Sequence, residues 1–291
     1  MLSRREFLIG AAALPASVAT LQIAAAADVA PLSFVIVSDT HLGRKDQPAP
    51  LRQWQQAIEE INRLPGEFVL HLGDIVDGGR EAQYPIYVEA RKSLTKPIHE
   101  IPGNHDPDEL FQRHIRAEID TSFDAGGVRF LLIGNAHPDS HLGFITARQL
   151  AWLEERSRDA ELKELKLVLG CHVPVHQNGH PDRGWYVKPD DGQTKLYELV
   201  DRRRDQFLAF FHGHFHNGVR GWRDHGRVVE VCCPSALYNQ DRGLKAAGAP
   251  GFTLDDYRPG YTLVTLGAGK LTLTYKPLGA EPGAEYTAEI V

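Results

Sequence analysis

Five short clusters in the chain combine aspartate, asparagine and histidine with glycine. Such side chains hold metal ions and transfer protons, because they offer carboxylate oxygens, amide oxygens and imidazole nitrogens. Histidine is abundant, with 14 residues in 291, and several of them stand in these clusters. In chain order the clusters are residues 38–41, 73–77, 102–107, 170–174 and 212–216. The sequence therefore indicates a site for metal binding or proton transfer.

Taken singly, the first two clusters have two interpretations each. Asp39 and His41 form an Asp-x-His pair, which either binds a metal or occupies a turn before a helix. Asp74 follows Gly73, which permits a sharp bend, so its carboxylate either extends beyond a strand end or caps a helix. Neither cluster decides the question by itself.

The other three clusters are harder to explain as turns or caps. Residues 104–106 read Asn-His-Asp, and a turn has no need for a histidine between these two residue types. His172 directly follows an apolar run. His214 and His216 are two residues apart, a spacing that points both rings the same way in extended backbone.

Each cluster comes just after an apolar run that predicts a strand buried on both faces. Helical patterns separate these runs, and the alternation of strand and helix is typical of the α/β class. The predicted strands include residues 34–37, 68–72, 97–101, 128–133, 165–169 and 207–211, and the predicted helices residues 51–64, 84–94, 146–158 and 195–204. Since open α/β sheets build their sites at the carboxyl ends of strands, we expect the five clusters to meet there.

The last third of the chain changes character. Residues 228–232, 261–266 and 270–275 predict strands with no helix between them. We expect these strands to form a second, more antiparallel sheet. Because no repeat or low-complexity linker interrupts residues 28–291, we expect this region to form one layered domain.

The clusters together offer more ligands than one metal ion needs. The seven candidates are Asp39, His41, Asp74, Asn104, His172, His214 and His216. Oxygen and imidazole ligands without thiolate favour Mn, Fe, Zn or Ni, and the set is too rich in nitrogen for Ca or Mg. We therefore expect two divalent or mixed-valence ions that share a carboxylate and a bridging water or hydroxide, separated by roughly 3.5 to 4 Å. Such a pair suits in-line displacement at phosphorus, because it lowers the pKa of bound water toward about 7 and neutralises phosphate charge.

The order Asp-x-His, Gly-Asp-x-x-Asp, Gly-Asn-His-Asp, a lone His and Gly-His-x-His resembles the calcineurin-like metallophosphoesterase superfamily. The resemblance spans residues 39–216. With it, the expected fold is a layered α-β-β-α sandwich of two mixed sheets with flanking helices. The resemblance implies that one metal is held by Asp39, His41, Asp74 and His216, and that a second is held by Asp74 as a bridge with Asn104, His172 and His214.

The resemblance also implies a catalytic role for the Gly-Asn-His-Asp motif. His105 would donate a proton to the leaving oxygen or stabilise transition-state charge, and Asp106 would orient it. Purple acid phosphatases have a tyrosine ligand where this chain has Asp77, so an iron-tyrosinate centre is not expected. For Asp77 two interpretations are open, a contact to a metal ligand or a helix cap, and the cap is favoured.

A long loop over residues 175–194 follows one of the clusters, and such loops are often functional. Arg183 is a candidate to hold a phosphate, and Trp185 or Tyr186 to stack on a nucleobase or another ring. In the alternative interpretation, the aromatic side chains only attach the loop to the body of the domain. Residues 139–143 and 149–153 resemble bacterial single-domain members of the superfamily, which include cyclic-nucleotide phosphodiesterases.

Composition excludes several classes of protein. The chain is 42% hydrophobic and 24% charged, as in ordinary globular proteins. Its net charge of -6 provides no basic field for polymeric nucleic acid or an anionic membrane. The three cysteines, Cys171, Cys232 and Cys233, lack the spacing of a zinc site. They are expected as buried apolar residues, and a disulfide from Cys171 to one of the adjacent pair stays open.

The first 27 residues have the pattern of an export signal. Arg4 and Arg5 precede a mildly apolar, alanine-rich stretch that ends in four alanines before Asp28. The Arg-Arg pair followed by Phe-Leu resembles the bacterial twin-arginine signal, which implies export of a folded chain by the twin-arginine machinery. We therefore expect a periplasmic or otherwise exported protein.

The function expected from the sequence is an exported two-metal hydrolase of small phosphoesters. The histidine of the Gly-Asn-His-Asp motif and the bacterial resemblance favour phosphodiesters or cyclic nucleotides. A phosphomonoesterase with the same fold is the alternative. A non-catalytic metal-binding scaffold is a further alternative, although the metal motifs are complete. A nuclease acting on duplex DNA disagrees with the acidic balance of the chain.

Overall fold

The computed structural model of the chain describes residues 31–177, 184–222, 228–240, 251–254 and 256–290. Within these ranges it forms thirteen strands and five α-helices. The strands are β1 (Leu32–Val37), β2 (Val69–His71), β3 (Ile98–Glu100), β4 (Thr121–Ala125), β5 (Val128–Leu132), β6 (Lys166–Gly170), β7 (Phe207–His212), β8 (Val219–Trp222), β9 (Val229–Cys232), β10 (Gly251–Leu254), β11 (Gly260–Gly267), β12 (Lys270–Pro277) and β13 (Glu285–Glu289). The helices are α1 (Ala49–Arg63), α2 (Gln83–Arg91), α3 (Asp108–His114), α4 (Ala147–Leu162) and α5 (Gln193–Arg202).

The strands form two mixed sheets, as predicted. The first sheet has the order β13-β12-β11-β1-β2-β3, and the second has the order β10-β8-β9-β7-β6-β5-β4. In the first sheet, β1, β2 and β3 are parallel, and in the second sheet β5, β6, β7 and β9 are parallel. The parallel strands therefore bring their carboxyl ends to one edge of each sheet.

The expectation that the last third forms a separate antiparallel sheet is wrong. Strand β9 joins the second sheet beside β7, in parallel. Strand β11 instead pairs antiparallel with β1 at the centre of the first sheet, and β12 and β13 extend that sheet outward. The late strands are thus divided between the two sheets.

Alternation along β1 shows how the layers pack. Phe34 and Ile36 lie in the core between the two sheets, where the ring of Phe34 makes edge contacts with Phe130 and Phe211 of the second sheet. Val35 and Val37 lie on the opposite face, beneath α1 and α2. Helices α4 and α5 cover the outer face of the second sheet. The α-β-β-α sandwich is confirmed.

Local signals explain where the predicted helices begin and end. Thr146 caps α4, because its hydroxyl accepts from the backbone N–H of Gln149 (3.2 Å) and its own N–H donates to the Gln149 side chain (3.0 Å). In α1, Trp54 stacks on Tyr87 of α2 with ring centroids 5.3 Å apart. This pairing holds the two helices together over the first sheet.

The three cysteines are buried and free, so the disulfide left open by the sequence is not formed. Burial raises the pKa of each of these thiols. Among the described helices, none has the length and apolar character needed to cross a bilayer. The predicted signal, residues 1–27, lies outside the described residues.

Candidate metal centre

The five clusters meet at one edge of the sandwich. The loops after β1, β2 and β3 come from the first sheet, and those after β6 and β7 come from the second sheet. All seven predicted ligands are buried there, with Asn104 the most exposed at 7%. The prediction that strand ends assemble the site agrees with this arrangement.

One group of side chains surrounds a common point between β1, β2 and β7. Nε2 of His41 lies 2.9 Å from Nε2 of His216 and 3.5 Å from Oδ2 of Asp74. Nε2 of His216 lies 3.1 Å from Oδ1 of Asp39. Ligand atoms of these four residues all lie within 4.8 Å of one another, close enough for one metal ion.

A second group shares Asp74 with the first. Nε2 of His172 lies 3.3 Å from Oδ2 of Asp74 and 3.2 Å from Nδ1 of His214. The buried Oδ1 of Asn104 has no hydrogen-bond partner among the described residues, and Asn104 lines the same cleft. A buried oxygen in this situation is costly unless a ligand satisfies it, so the donor set fits a second metal ion.

Backbone carbonyls orient three of the four histidines. The ring N–H groups that donate are Nδ1 of His172 to Leu72 (2.7 Å), Nε2 of His214 to His141 (3.1 Å) and Nδ1 of His216 to Tyr238 (3.0 Å). Because each carbonyl can only accept, it fixes the proton on that nitrogen and leaves the other nitrogen of the ring as a ligand.

A carboxylate takes this position for the fourth histidine. Oδ1 of Asp77 lies 3.2 Å from Nδ1 of His41, and the nearest helix, α2, begins only at Gln83. The favoured interpretation of Asp77 as a helix cap is therefore wrong. The other interpretation, in which Asp77 contacts a metal ligand, agrees with the position of this side chain beside His41.

The backbone at the site is unusual. Five candidate ligands have positive φ angles, a region that non-glycine residues seldom adopt: Asp39, His41, Asp74, His214 and His216. Glycine makes room for them. A Cβ on Gly213 would lie 1.9 Å from Oγ of Ser38 and 2.6 Å from Oδ2 of Asp39, and a Cβ on Gly103 would collide with the Asp74 carboxylate. The glycines of these motifs allow the loops to approach each other.

The electrostatic field of the site favours positive charge. Burial opposes the charge on Asp74, but attraction from His172 and His41 leaves the pKa of this carboxyl well below its usual range. Burial would likewise lower the pKa of His172, yet Asp74 and Asp39 raise it to about 9. A divalent cation satisfies the same field. By donor type, burial and field, the residues fit two divalent metal ions.

The structure separates the two predicted catalytic residues. His105 is at the cleft, with its ring centroid 4.7 Å from that of His41 and its Nδ1 accepting from the N–H of Gly78 (3.3 Å). Asp106 is fully buried and accepts from the N–H groups of Ile75 (2.9 Å), Val76 (3.1 Å) and Gly103 (2.9 Å), and from the hydroxyl of Tyr84 (3.3 Å).

Asp106 therefore connects two loops of the site, whereas the sequence gives it the role of orienting His105. A carboxylate that does lie near the His105 ring is that of Asp77, with Oδ1 3.8 Å from Nδ1. Burial and repulsion from Asp74 raise the pKa of Asp106 to about 6, against the opposing effect of its backbone hydrogen bonds.

The ligand groups open into a cleft of about 240 Å³. A wider recess beside it, of about 470 Å³, lies along residues 138–142 and shares Asn104, His141 and Trp185 with the cleft. Of the predicted substrate residues, Trp185 reaches the cleft, Tyr186 is not among the residues that line it, and Arg183 lies outside the described residues.

Packing of Trp185 matches the alternative interpretation of the loop. Its ring stacks on His141 with centroids 4.2 Å apart and lies 5.2 Å from His214 and 6.1 Å from Phe215. Trp185 thus attaches its loop to the ligand histidine. The sequence analysis did not single out Arg44 and His141, which line the cleft together with Tyr238. For His141 and Tyr238, the group that matters to the ligands is a backbone carbonyl, which leaves no side-chain signal.

Comparison with known proteins agrees with this site. The calcineurin-like phosphoesterase family matches residues 32–218. A "probable glycerophosphodiester phosphodiesterase" of Arcobacter nitrofigilis is 27% identical over 62% of this chain and 71% of its own length. A "3′,5′-cyclic-nucleotide phosphodiesterase" of Nostoc sp. is 24% identical over 81% of this chain and 88% of its own length.

Solved structures share the fold. A dimetal phosphatase from Danio rerio superposes with a TM-score of 0.66 at 14% identity, over 91% of this chain and all of that one. A purple acid phosphatase from yellow lupin gives a TM-score of 0.65 at 16% identity, over 89% of this chain and 53% of that one. The family match covers strands β1 to β7 and every candidate ligand, so the chain belongs to the calcineurin-like phosphoesterase family and is a metal-dependent phosphoester hydrolase.

Proposed function

We propose that the protein hydrolyses small phosphodiesters, cyclic nucleotides among them. One observation carries the proposal: a partly exposed histidine, His105, stands at the cleft beside the buried ligand groups. An alkoxide is a poor leaving group, and a histidine placed beside it supplies the proton that it needs. The names of the relatives from Arcobacter and Nostoc support the same choice of substrate.

We assign the metal ligands in two sets that share Asp74. One set is Asp39, His41, Asp74 and His216, and the other is Asp74, Asn104, His172 and His214. When bound, two such ions polarise the phosphoryl group and make a nucleophilic water available at neutral pH. Mn, Fe, Zn and Ni all suit this mixture of carboxylate, amide and imidazole.

His105 holds a proton on a defined atom. Its Nδ1 accepts the N–H of Gly78, so in the neutral ring the proton is on Nε2. In the proposed reaction Nε2–H donates a hydrogen bond to the leaving oxygen, and the proton is transferred when the ring is imidazolium, which then returns to the neutral form. Asp106 supports the reaction indirectly, because it holds the loop of His105 to the loop of Asp74.

The test compares leaving groups as well as substrates. The metal-loaded protein should hydrolyse bis-(p-nitrophenyl) phosphate faster than p-nitrophenyl phosphate, and should hydrolyse 3′,5′-cyclic AMP. The His105→Ala variant should lose about 100-fold or more in kcat with cyclic AMP. It should lose much less with the p-nitrophenyl diester, whose leaving group needs little protonation.

A matched control is His114→Ala, since His114 is not among the residues that line the cleft. This variant should keep the activity of the parent. Equal losses with both leaving groups in His105→Ala would contradict the role of a proton donor. Preference for the monoester would replace the diesterase by the phosphatase alternative, and bound metal without any hydrolysis would favour the scaffold.

We also propose that the chain is exported by the twin-arginine pathway. The support is the sequence pattern Arg4-Arg5 with Phe7-Leu8, followed by the alanine-rich stretch. When the full-length chain is expressed in a bacterial host, the protein should appear in the periplasm with the signal cleaved after Ala27. The double substitution Arg4→Lys and Arg5→Lys should retain it in the cytoplasm, and unchanged export of that variant would contradict the proposal.

A further inference from the structure

The cleft is lined by a positively charged side chain, Arg44, that is not among the candidate metal ligands. Among the described residues that line it, Arg44 is the only Lys or Arg. Its side chain is 32% exposed and lines the cleft. A phosphoester brings negative charge to this place, and an arginine is the side chain best suited to bind it.

The chain holds Arg44 in position by a tight turn after His41. The N–H of Arg44 donates to the carbonyl of His41 (3.1 Å), and Arg80 donates from its side chain to the carbonyl of Gly43 (2.9 Å). Gly43 has φ +83°, and a Cβ there would lie 2.3 Å from the side chain of Gln83. The turn therefore requires glycine at position 43, and it places Arg44 three residues after the candidate ligand His41.

Two side chains fix the guanidinium without using up its donors. Its Cζ lies over the ring of Tyr238, 4.7 Å from the centroid, and NH1 is 3.5 Å from Oδ1 of Asp77. That separation is longer than a charge-assisted hydrogen bond of about 2.7–2.9 Å. Among the described residues, we find no hydrogen bond from the guanidinium of Arg44.

Other arginines of the chain are satisfied in a different way. Arg91 contacts the Glu100 carboxylate at 2.6 Å, and Arg129 contacts Asp124 at 2.7 Å and Asp159 at 2.6 Å. These short ion pairs are structural. The guanidinium of Arg44 is positioned by a ring and a distant carboxylate, which leaves its donors available to a ligand in the cleft.

We infer that Arg44 binds a non-bridging oxygen of the substrate phosphoryl group. The inference rests on the proposed function, since it places the phosphodiester beside the candidate metal centre. Arg44 thus contributes mainly to binding, and the same contact should hold inorganic phosphate, which presents the same kind of non-bridging oxygen. The role requires the planar fork of arginine, so lysine replaces it only in part.

The experiment measures phosphate binding separately from turnover. Inorganic phosphate is titrated calorimetrically into the metal-loaded parent and into Arg44→Gln, Arg44→Lys and the control Arg63→Gln, which removes an exposed charge on α1. The expected Kd for phosphate rises about 10-fold or more in Arg44→Gln, corresponding to one hydrogen bond between charged groups. It rises less in Arg44→Lys and is unchanged in Arg63→Gln.

Kinetics with bis-(p-nitrophenyl) phosphate provide the second readout. The KM should rise about 10-fold in Arg44→Gln, with kcat changed much less. A phosphate Kd within about 2-fold of the parent overturns the inference, as does loss of bound metal in Arg44→Gln, because Arg44 would then act on the metal centre. If the parent binds phosphate through Arg44 but hydrolyses no diester, the proposed function fails, whereas the contact between Arg44 and a phosphate oxygen stands.

Discussion

Oδ1 of Asp77 lies 3.2 Å from Nδ1 of His41, and it is also 3.5 Å from the guanidinium of Arg44 and 3.8 Å from Nδ1 of His105. One carboxylate thus faces a candidate metal ligand, the arginine of the cleft and the candidate proton donor. Although burial opposes its ionisation, the contact with His41 keeps the pKa of Asp77 below its usual value. A carboxylate behind a metal-binding imidazole strengthens the imidazole as a ligand.

We therefore predict that Asp77→Asn weakens metal binding at the site that contains His41. The amide has nearly the same volume as the carboxylate but no charge, so the His41 imidazole becomes a weaker metal ligand. Affinity for Mn²⁺ at one of two sites should fall by roughly 10- to 100-fold. Metal analysis after desalting should then find fewer ions per chain than in the parent. Asp46→Asn, which removes an exposed carboxylate from the loop after β1 that also carries His41, is the control and should bind metal normally.

For Asp106 the expected effect is on stability. Oδ2 accepts from two backbone N–H groups, and Oδ1 accepts from one N–H and from Tyr84. In Asp106→Asn the amide nitrogen must face at least one of these donors, which leaves a buried group unsatisfied. The free energy of unfolding of the metal-free protein should fall by about 1–3 kcal/mol in urea denaturation. Tyr84→Phe, which removes only one hydrogen-bond donor to Asp106, at 3.3 Å, should cost less.

The same variant tests the role that the sequence predicts for Asp106. If this side chain acts mainly by orienting His105, Asp106→Asn should lower kcat without lowering the free energy of unfolding. The contacts of the buried carboxylate favour the opposite result, in which Asp106→Asn lowers the free energy of unfolding.

His99 should make the protein sensitive to acid. Its ring stacks on Phe123 with centroids 3.6 Å apart, and burial, assisted by repulsion from Arg116, lowers its pKa to about 4. The unfolded chain takes up a proton near pH 6.5, whereas the folded chain does so only near pH 4. The folded state is therefore favoured above pH 6.5, and this contribution is lost as the pH falls from 6.5 to 4.

The measurement is the free energy of unfolding of the parent and of His99→Phe at several pH values in this window. The parent should lose more stability than the variant between pH 6.5 and pH 4.5, because phenylalanine keeps the stack but does not titrate. The other buried histidines contribute equally to both proteins. Parallel curves would show that the ring of His99 is protonated as easily in the folded chain as in the unfolded one.

The candidate ligands could be predicted from sequence because two local signals coincide. Apolar runs mark the strands, and the Asp, Asn and His clusters directly follow them, so the carboxyl ends of parallel strands determine where these side chains meet. The long-range pairing of β11 with β1 has no such signal. Partner choice between strands depends on the packing of both sheets, which a local pattern does not contain.

Positioning groups were missed for a different reason. The carbonyls of Leu72, His141 and Tyr238 orient ligand histidines, and any residue type supplies a carbonyl. The role of Asp77 depends on its contact with His41, which comes from the loop after another strand, and a local sequence pattern does not contain that contact. Strand β4 was missed because none of its residues is fully buried, and α3 because it has only seven residues.

Gly213 should be required for metal binding rather than for folding alone. Substitution by alanine places a methyl group 1.9 Å from Oγ of Ser38 and 2.6 Å from Oδ2 of Asp39, so one of these side chains must move. Asp39 also accepts the N–H of His214, and its displacement therefore disturbs two candidate ligands at once. Overpacking of a buried site costs about 1–3 kcal/mol.

We expect Gly213→Ala to fold with reduced stability and to retain fewer metal ions per chain than the parent. Gly66→Ala is the matched control, because the nearest atom to its new methyl group is 3.5 Å away, an ordinary van der Waals contact. Metal content after desalting and thermal unfolding should both be measured, with and without added Mn²⁺. If Gly213→Ala lost stability but kept the metal content and the Mn²⁺ stabilisation of the parent, the predicted displacement of Asp39 would be wrong.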